Sequence, residues 1–192
     1  MKSLLICLIL SSSLFAQKEE IKVSPHVRVV NEKRAYHSGG IIYCGDTIKV
    51  LTCSHMLSEI GIKRCQVEFY YGDNYISLPA KIVKYDHNID LMLLEVENIG
   101  IKTDVLLIGG DYKDPHVLIG RPSYEGVRKE RLVRTNEANM GEAMMFGGIA
   151  VSGMSGGAVL NSEGELVSIQ STKGQGTTTG CSLREIRKFL LK

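Results

Sequence analysis

The sequence predicts an all-β protein built from two barrels or sandwiches, with one α-helix at its C-terminal end. Three observations lead to this prediction. About twelve short runs of the 192-residue chain are rich in β-branched and aromatic residues. Turn sequences such as Gly-Asp and Gly-Asp-Asn separate many of these runs. A strong helical pattern occurs only in the last eleven residues.

The predicted strands form two groups of six along the chain. The first group covers residues 26–30, 40–44, 47–52, 65–71, 76–86 and 90–97. The second group covers residues 116–120, 127–135, 142–151, 158–160, 166–171 and 177–181. Patterning is weakest over residues 100–115, so we place the boundary there, between an N-terminal barrel (26–110) and a C-terminal barrel (111–192).

The C-terminal helix is predicted over residues 182–191. It opens with Ser182 and Glu185 at the spacing of a capping box, in which each side chain satisfies a backbone N–H of the first turn. Apolar side chains then recur at Leu183, Ile186, Phe189 and Leu190, which places them on one face. We expect that face to pack against the second barrel.

The first sixteen residues have the layout of a secretory signal peptide. Lys2 supplies a positive start, residues 4–10 are apolar, and small residues lead to Ala16. The apolar run is too short for a membrane span, which needs about 20 residues. We expect cleavage after Ala16, a flexible lead-in over residues 17–25, and a secreted or periplasmic protein.

Composition limits the classes of partner and cofactor. The formal net charge is +2 and no Lys/Arg run exceeds two residues, so no nucleic-acid-binding surface is expected. Of five cysteines, Cys7 lies in the signal segment; the other four allow three disulfide pairings or free thiols. No Cys-x-x-Cys or paired Cys/His spacing indicates zinc, and we expect neither a metal nor a cofactor.

Ser155 is the candidate nucleophile. It lies in Gly153-Met154-Ser155-Gly156-Gly157, where flanking glycines leave its hydroxyl sterically bare and let backbone N–H groups converge on one point. Acyl-transfer nucleophiles need both features. A glycine-rich turn without chemistry is the alternative.

All five histidines precede Ser155, which excludes the serine–acid–histidine order of the α/β-hydrolase nucleophile elbow. His55 follows an apolar strand that ends at a surface edge, and it is the candidate base. Asp90 opens a strand of four apolar residues, where a partly buried carboxylate needs a hydrogen-bonded partner such as an imidazole. Asp86 is the competing acid.

With these residues in the order histidine, acid, serine, the sequence resembles the trypsin-like (chymotrypsin-fold) serine peptidases. The matching segments are Gly39-Gly40-Ile41-Ile42, Leu51-Thr52-Cys53-Ser54-His55, Asn88-Ile89-Asp90-Leu91-Met92-Leu93 and Gly153-Met154-Ser155-Gly156-Gly157. The compact loops are most similar to the bacterial Deg-type branch, although the sequence ends at Lys192 without a PDZ module. The resemblance implies two six-stranded β-barrels with the active site between them.

The resemblance also implies roles for single residues. Ser155 would be the nucleophile, His55 the general base and Asp90 its orienting acid, with the N–H groups of Gly153 and Ser155 as the oxyanion hole. Met154 stands where enzymes activated by N-terminal cleavage carry an aspartate, so no such activation is expected.

Substrate contacts follow from the same resemblance. Ile149 would form the floor of the primary specificity pocket, which favours small or medium apolar side chains, and Ser171, Thr172 and Lys173 would pair with substrate backbone. The predicted function is therefore an exported serine endopeptidase acting on polypeptides, with its oligomeric state left open. The alternatives are a catalytically inactive peptide-binding or chaperone-like domain of the same fold and, third, an esterase.

Overall fold

The computed structural model describes residues 20–57, 64–112, 116–122, 126–134, 143–148, 150–173 and 177–192. The predicted signal segment (1–16) and Ile149 lie outside these ranges. Within the described residues, no helix is both long and apolar enough to cross a bilayer.

Six antiparallel strands of the first half close into a barrel. The elements of this half are β1 (Ile21–Lys22), β2 (His26–Asn31), β3 (Tyr36–Cys44), β4 (Thr47–Thr52), a 3-10 turn (His55–Leu57), β5 (Cys65–Tyr71), β6 (Asn74–Asp86), β7 (Leu91–Glu97) and β8 (Ile101–Lys102). The barrel order is β2-β3-β4-β7-β6-β5, and β2 and β5 pair to complete it. Inward-facing Val, Ile, Leu and Phe side chains fill its interior.

The second half repeats this architecture. Its elements are β9 (His116–Gly120), β10 (Arg128–Arg134), β11 (Ala143–Gly147), β12 (Ala158–Leu160), β13 (Leu166–Lys173), β14 (Thr177–Cys181) and helix α1 (Leu183–Leu191). The barrel order is β10-β11-β14-β13-β12-β9, closed by the pairing of β9 with β10. The all-β prediction of two six-stranded barrels and a terminal helix is confirmed.

Two short strands lie where no strand was predicted. Ile21 and Lys22 of β1 pair in parallel with Ile101 and Lys102 of β8. The expected lead-in at 17–25 thus contains a strand, and the weakly patterned stretch 100–115 contains its partner. The adjacent Val23 is 5% exposed and packs in the core of the first barrel, which accounts for the ordering of this segment.

Helix α1 packs with the predicted face inward. Ser182 is its N-cap, and the Ser182 Oγ accepts a hydrogen bond from the Glu185 N–H at 3.3 Å. The Glu185 carboxylate pairs with Arg184 and Lys188 rather than returning to Ser182, so only half of the predicted capping box forms. Ile186 and Phe189 are buried in an apolar cluster shared by both barrels.

That shared cluster joins the two barrels into one unit. Leu51, Leu91 and Leu93 extend from the first barrel to meet Ile119 and Ile169 of the second. Burial of these side chains on both sides fixes the relative position of the barrels, and it therefore fixes any site formed between them.

Ser38 and Gly156 provide a second, polar connection between the barrels. The Ser38 side chain is fully buried, and its backbone N–H donates to the carbonyl of Ser155 at 2.7 Å. Gly156 has φ +83°, and a Cβ there would lie 2.2 Å from both the Ser38 carbonyl oxygen and Thr52 Oγ1. No side chain fits at this contact.

We expect Gly156→Ala to destabilise the protein by about 3 kcal/mol or more, since left-handed strain adds to a steric clash. Gly164→Ala is the matched control: Gly164 has φ +79°, but a Cβ there meets nothing within 4 Å. It should lose only about 1–2 kcal/mol, the strain alone. Urea unfolding of both variants measures the difference, and equal losses would show that the close approach at Gly156 is unimportant.

Candidate active site

Asp90 and His55 are brought together by the turn that follows β4. Asp90 adopts φ +52°, a left-handed conformation that Asp tolerates better than most residues, directly before β7. Its Oδ1 accepts hydrogen bonds from the backbone N–H groups of Ser54 (2.9 Å) and His55 (2.7 Å). One carboxylate oxygen therefore fixes the backbone that carries the histidine.

The other carboxylate oxygen orients the imidazole. Asp90 Oδ2 lies 2.7 Å from His55 Nδ1, and it also accepts a hydrogen bond from Ser171 Oγ. Burial alone would raise the pKa of the Asp90 carboxyl, but hydrogen bonds from His55 and Ser171 and the His55 charge hold it below its usual range. Asp90 therefore stays ionised at neutral pH, with Nδ1–H of His55 directed toward it.

Hydrogen bonds from the first barrel hold the loop that carries Ser155. Residues Val151 to Met154 form a turn closed by a 3.1 Å hydrogen bond from the Met154 N–H to the Val151 carbonyl. Gly153 takes φ +88° in this turn, a conformation that favours glycine. Its carbonyl oxygen accepts from Ser38 Oγ at 2.7 Å, which fixes the orientation of the following peptide group.

Two backbone donors of this loop have no acceptor in the described part of the chain. The N–H groups of Met154, Gly156 and Gly157 donate to the carbonyls of Val151, Gln170 and Met154, respectively. Among the described residues, no carbonyl or side chain accepts from the N–H of Gly153 or of Ser155. These are the two donors that the sequence analysis assigned to the oxyanion hole, and both are available to a ligand.

The hydroxyl of Ser155 opens on the same cleft as the His55–Asp90 pair. His55, His87, Asn88, Asp90, Ser155, Ser171 and Thr172 line this cleft. Ser155 Oγ donates to the carbonyl oxygen of Ser171 at 3.1 Å. The structure thus places the three predicted residues around one cleft, with the serine hydroxyl turned toward β13.

Two of the predicted substrate-contacting residues border the cleft. Ser171 and Thr172 line the cleft, Lys173 is the last residue of β13, and Ile149 lies outside the described residues. The carboxylate of Asp86, the competing acid, accepts from the backbone N–H of Asn88 at 2.9 Å, whereas Asp90 bonds the imidazole. Met154 is fully buried in the core of the second barrel, where it offers no partner to an ammonium group.

Three features of the site were not predicted from the sequence. Ser38 links the barrels through three hydrogen bonds, but no local pattern marks a serine in β3 for that role. Ser171 was assigned to substrate backbone and not to the Asp90 carboxylate. Cys53, two residues before His55, and His37, on strand β3, both lie beside the His55 imidazole.

The four cysteines of the described residues, Cys44, Cys53, Cys65 and Cys181, are all free thiols. Burial raises the pKa of the Cys53 thiol far above its ordinary value, and the nearby Asp90 charge adds to the effect. The thiol is therefore protonated at neutral pH, and a protonated, buried thiol is a poor nucleophile.

Residues 38–169 match the family model described as a trypsin-like peptidase domain. Solved structures with a similar fold include the inactive form of the Rv3671c protease of M. tuberculosis, 17% identical, with a TM-score of 0.67 and 87% of each chain covered. Deg5 is 19% identical, with a TM-score of 0.71, covering 85% of this chain and 86% of its own. A serine endoprotease from Yersinia pestis is 22% identical, with a TM-score of 0.72, covering 88% of this chain and 62% of its own. No curated protein matches the sequence significantly.

Proposed function

The chain belongs to the trypsin-like peptidase family, and from that premise we propose that it is an exported serine endopeptidase that uses His55, Asp90 and Ser155 as its catalytic triad. The 2.7 Å hydrogen bond between His55 Nδ1 and Asp90 Oδ2, at the edge of a cleft shared with Ser155, is the observation that carries the proposal. It orients Nε2 of the imidazole as a proton acceptor.

The first step is activation of the serine. Rotation about the Cα–Cβ bond of Ser155 turns its hydroxyl from the Ser171 carbonyl toward His55. His55 Nε2 then takes the hydroxyl proton as Oγ attacks the carbonyl carbon of a peptide bond. The negative charge of Asp90 stabilises the imidazolium that results.

The oxyanion that forms needs donors that are already in position. The N–H groups of Gly153 and Ser155 are suited to this, since no described residue accepts from them. One such donor is typically worth about 3 kcal/mol of transition-state stabilisation. His55 next gives its proton to the leaving amine. In the second half of the reaction His55 takes a proton from a water molecule that attacks the acyl-enzyme, and it returns that proton to Ser155 Oγ as the acid product leaves.

Substrate alignment is assigned to the edge of β13. Ser171 and Thr172 border the cleft beside Ser155, so an extended peptide can add to this strand with its scissile bond near the hydroxyl. The family resemblance alone assigns the floor of the primary pocket to Ile149, and from it we propose a preference for small or medium apolar side chains. A cleavage-site profile on a peptide library tests this preference, and cleavage mainly after Lys or Arg would contradict it.

Export is proposed on the layout of residues 1–16 alone. The mature N-terminus, measured by mass spectrometry of the protein expressed in a bacterium, should be Gln17. An intact N-terminus on protein recovered from the cytoplasm would contradict the assignment.

Labelling with a fluorophosphonate probe tests the nucleophile directly. The full chain should incorporate one probe per molecule, and Ser155→Ala should incorporate none. Ser162→Ala is the matched control, because Ser162 is exposed in a turn outside the cleft, and it should label like the wild type. Absence of labelling in folded wild-type protein would favour the inactive peptide-binding domain, whereas labelling with hydrolysis of esters but not of peptides would favour an esterase.

A further inference from the structure

Two side chains with metal-ligating atoms lie beside the imidazole of His55. The Sγ of Cys53 is 3.7 Å from His55 Nε2 and 3.5 Å from His37 Nδ1. All three ligand atoms lie within 4.8 Å of one another, and the two imidazole rings meet at an interplanar angle of 66°. Three strong ligands for a borderline-soft cation therefore converge on one point.

The spacing of these atoms fits a tetrahedral zinc site. With Zn–S of about 2.3 Å and Zn–N of about 2.05 Å, sulfur and nitrogen ligands stand about 3.5 Å apart, and two nitrogens about 3.3 Å apart. Both sulfur–nitrogen distances already agree with this value to within 0.2 Å, since they are 3.5 and 3.7 Å. The two nitrogens lie within 4.8 Å of each other, so they need to approach by about 1.5 Å at most to bind one metal ion.

Asp90 completes the surroundings that such a site requires. Metal-bound histidines usually donate their second ring N–H to a carboxylate, which fixes the ring and strengthens the ligand. His55 Nδ1 has this partner in Asp90 Oδ2 at 2.7 Å. This hydrogen bond holds the proton of His55 on Nδ1. The lone pair on Nε2 that would accept the serine proton is therefore the same one that would bind a cation.

Of the three ligands, His55 also lines the cleft. Cys53 is fully buried, whereas 36% of the His55 side chain is exposed and His37 is partly exposed. A cation held by these three side chains keeps a fourth position for water, the layout of three protein ligands and one open position. The same cation occupies the nitrogen that Ser155 needs as its base.

We propose that His37, Cys53 and His55 form a binding site for a Zn²⁺-class cation, and that the bound metal reversibly switches off hydrolysis. On binding, Zn²⁺ replaces the Cys53 thiol proton, which passes to water, and no electron is transferred. The metal-binding part stands on the geometry alone, while the inhibitory consequence rests on the proposed peptidase function. Cys53 and His55 are two residues apart in sequence, and the pairing of β3 with β4 brings His37 to them.

Cobalt absorption tests the binding without reference to activity. Co²⁺ added to the full chain carrying Ser155→Ala should produce a thiolate-to-cobalt charge-transfer band together with tetrahedral ligand-field bands, and Zn²⁺ should abolish both. Adding Cys53→Ala should remove the charge-transfer band, and adding His37→Gln should weaken Co²⁺ affinity at least about tenfold. His87→Gln and Cys44→Ala are the matched controls and should bind like the parent, since neither residue belongs to the cluster.

A charge-transfer band that is absent, or that survives both Cys53→Ala and His37→Gln, would overturn the site. Because His37 is half-buried, its variant remains informative even if Cys53→Ala fails to fold. Inhibition is measured separately, as the Zn²⁺ concentration that halves peptide cleavage by the full chain. That concentration should rise at least about tenfold in His37→Gln, and a chelator should restore the wild-type rate.

The two proposals fail in different ways. Cobalt bands in a chain that never labels with fluorophosphonate would support the metal site and contradict the peptidase. Peptide cleavage that is unaffected by saturating Zn²⁺ would overturn the switch and leave the peptidase standing.

Discussion

Ser155→Ala is expected to lower kcat/KM for peptide hydrolysis by about 10⁴-fold or more. The substitution removes the attacking oxygen while leaving intact the turn that holds the loop, because the hydrogen bonds of Gly153 and Met154 do not involve the side chain. A loss of 10⁴-fold corresponds to about 5.5 kcal/mol of transition-state stabilisation. Initial-rate kinetics on a fluorogenic peptide measure the loss.

The same experiment tests whether the triad acts as a unit. His55→Ala should cost about as much as Ser155→Ala, and the double variant should cost little more than either one. Ser162→Ala again serves as the control and should match the wild type. A Ser155→Ala protein within tenfold of the wild-type rate would remove the serine from the mechanism.

Asp90→Asn is expected to lower kcat by about 10⁴-fold without unfolding the protein. Asparagine tolerates the left-handed φ of +52° as well as aspartate does, and it has nearly the same shape. Its effect therefore comes from the hydrogen bonds that its amide makes. Thermal unfolding should confirm that the variant is folded.

The hydrogen-bond pattern predicts how the amide sits. At the Oδ1 position, two backbone N–H groups, those of Ser54 and His55, require an acceptor, so the amide oxygen stays there. The amide NH₂ then faces His55 Nδ1 and donates to it. This forces the ring proton onto Nε2, and a protonated Nε2 cannot take the proton of Ser155.

Asp86→Asn is the matched control for this prediction. Within the part of the chain that the structure describes, the Asp86 carboxylate accepts only from the backbone N–H of Asn88, and an asparagine oxygen can do the same. The backbone carbonyl oxygen of Asp86, which accepts from Ser54 Oγ, is unchanged by the substitution. We expect a change of no more than a few-fold, and a severe loss in Asp86→Asn with a mild one in Asp90→Asn would reverse the assignment of the acid.

The sequence predicted the parts of the fold that local patterns encode. Strand β6 and helix α1 have clear periods of apolar residues, so both appeared close to their observed bounds. Strands β1 and β8 have two residues each, which is too short for any period, and their pairing spans eighty residues of chain. These strands form because neighbours such as Val23 are buried in the core, which a local sequence pattern does not reveal.

The residues of the candidate site likewise fall into those that a local pattern predicts and those that it does not. Ser155 stands out because glycines flank it, and Asp90 because an apolar strand follows it. Ser38 has no such local mark, since its importance arises from the contact of β3 with a loop more than a hundred residues later. Cys53 and His55 are neighbours in sequence, but the approach of His37 to them is likewise a property of strand pairing and not of spacing along the chain.

His55 and Asp90 belong to the first barrel, whereas the Ser155 hydroxyl belongs to the second. A solvent, a ligand or a distant substitution that separates the two barrels would disrupt the cleft while leaving every strand in place. The far-ultraviolet circular dichroism spectrum would change little, because the separation affects the interface between the barrels and not their strands. The geometry of the cleft thus depends on the packing of the two barrels against each other as much as on the folding of each barrel.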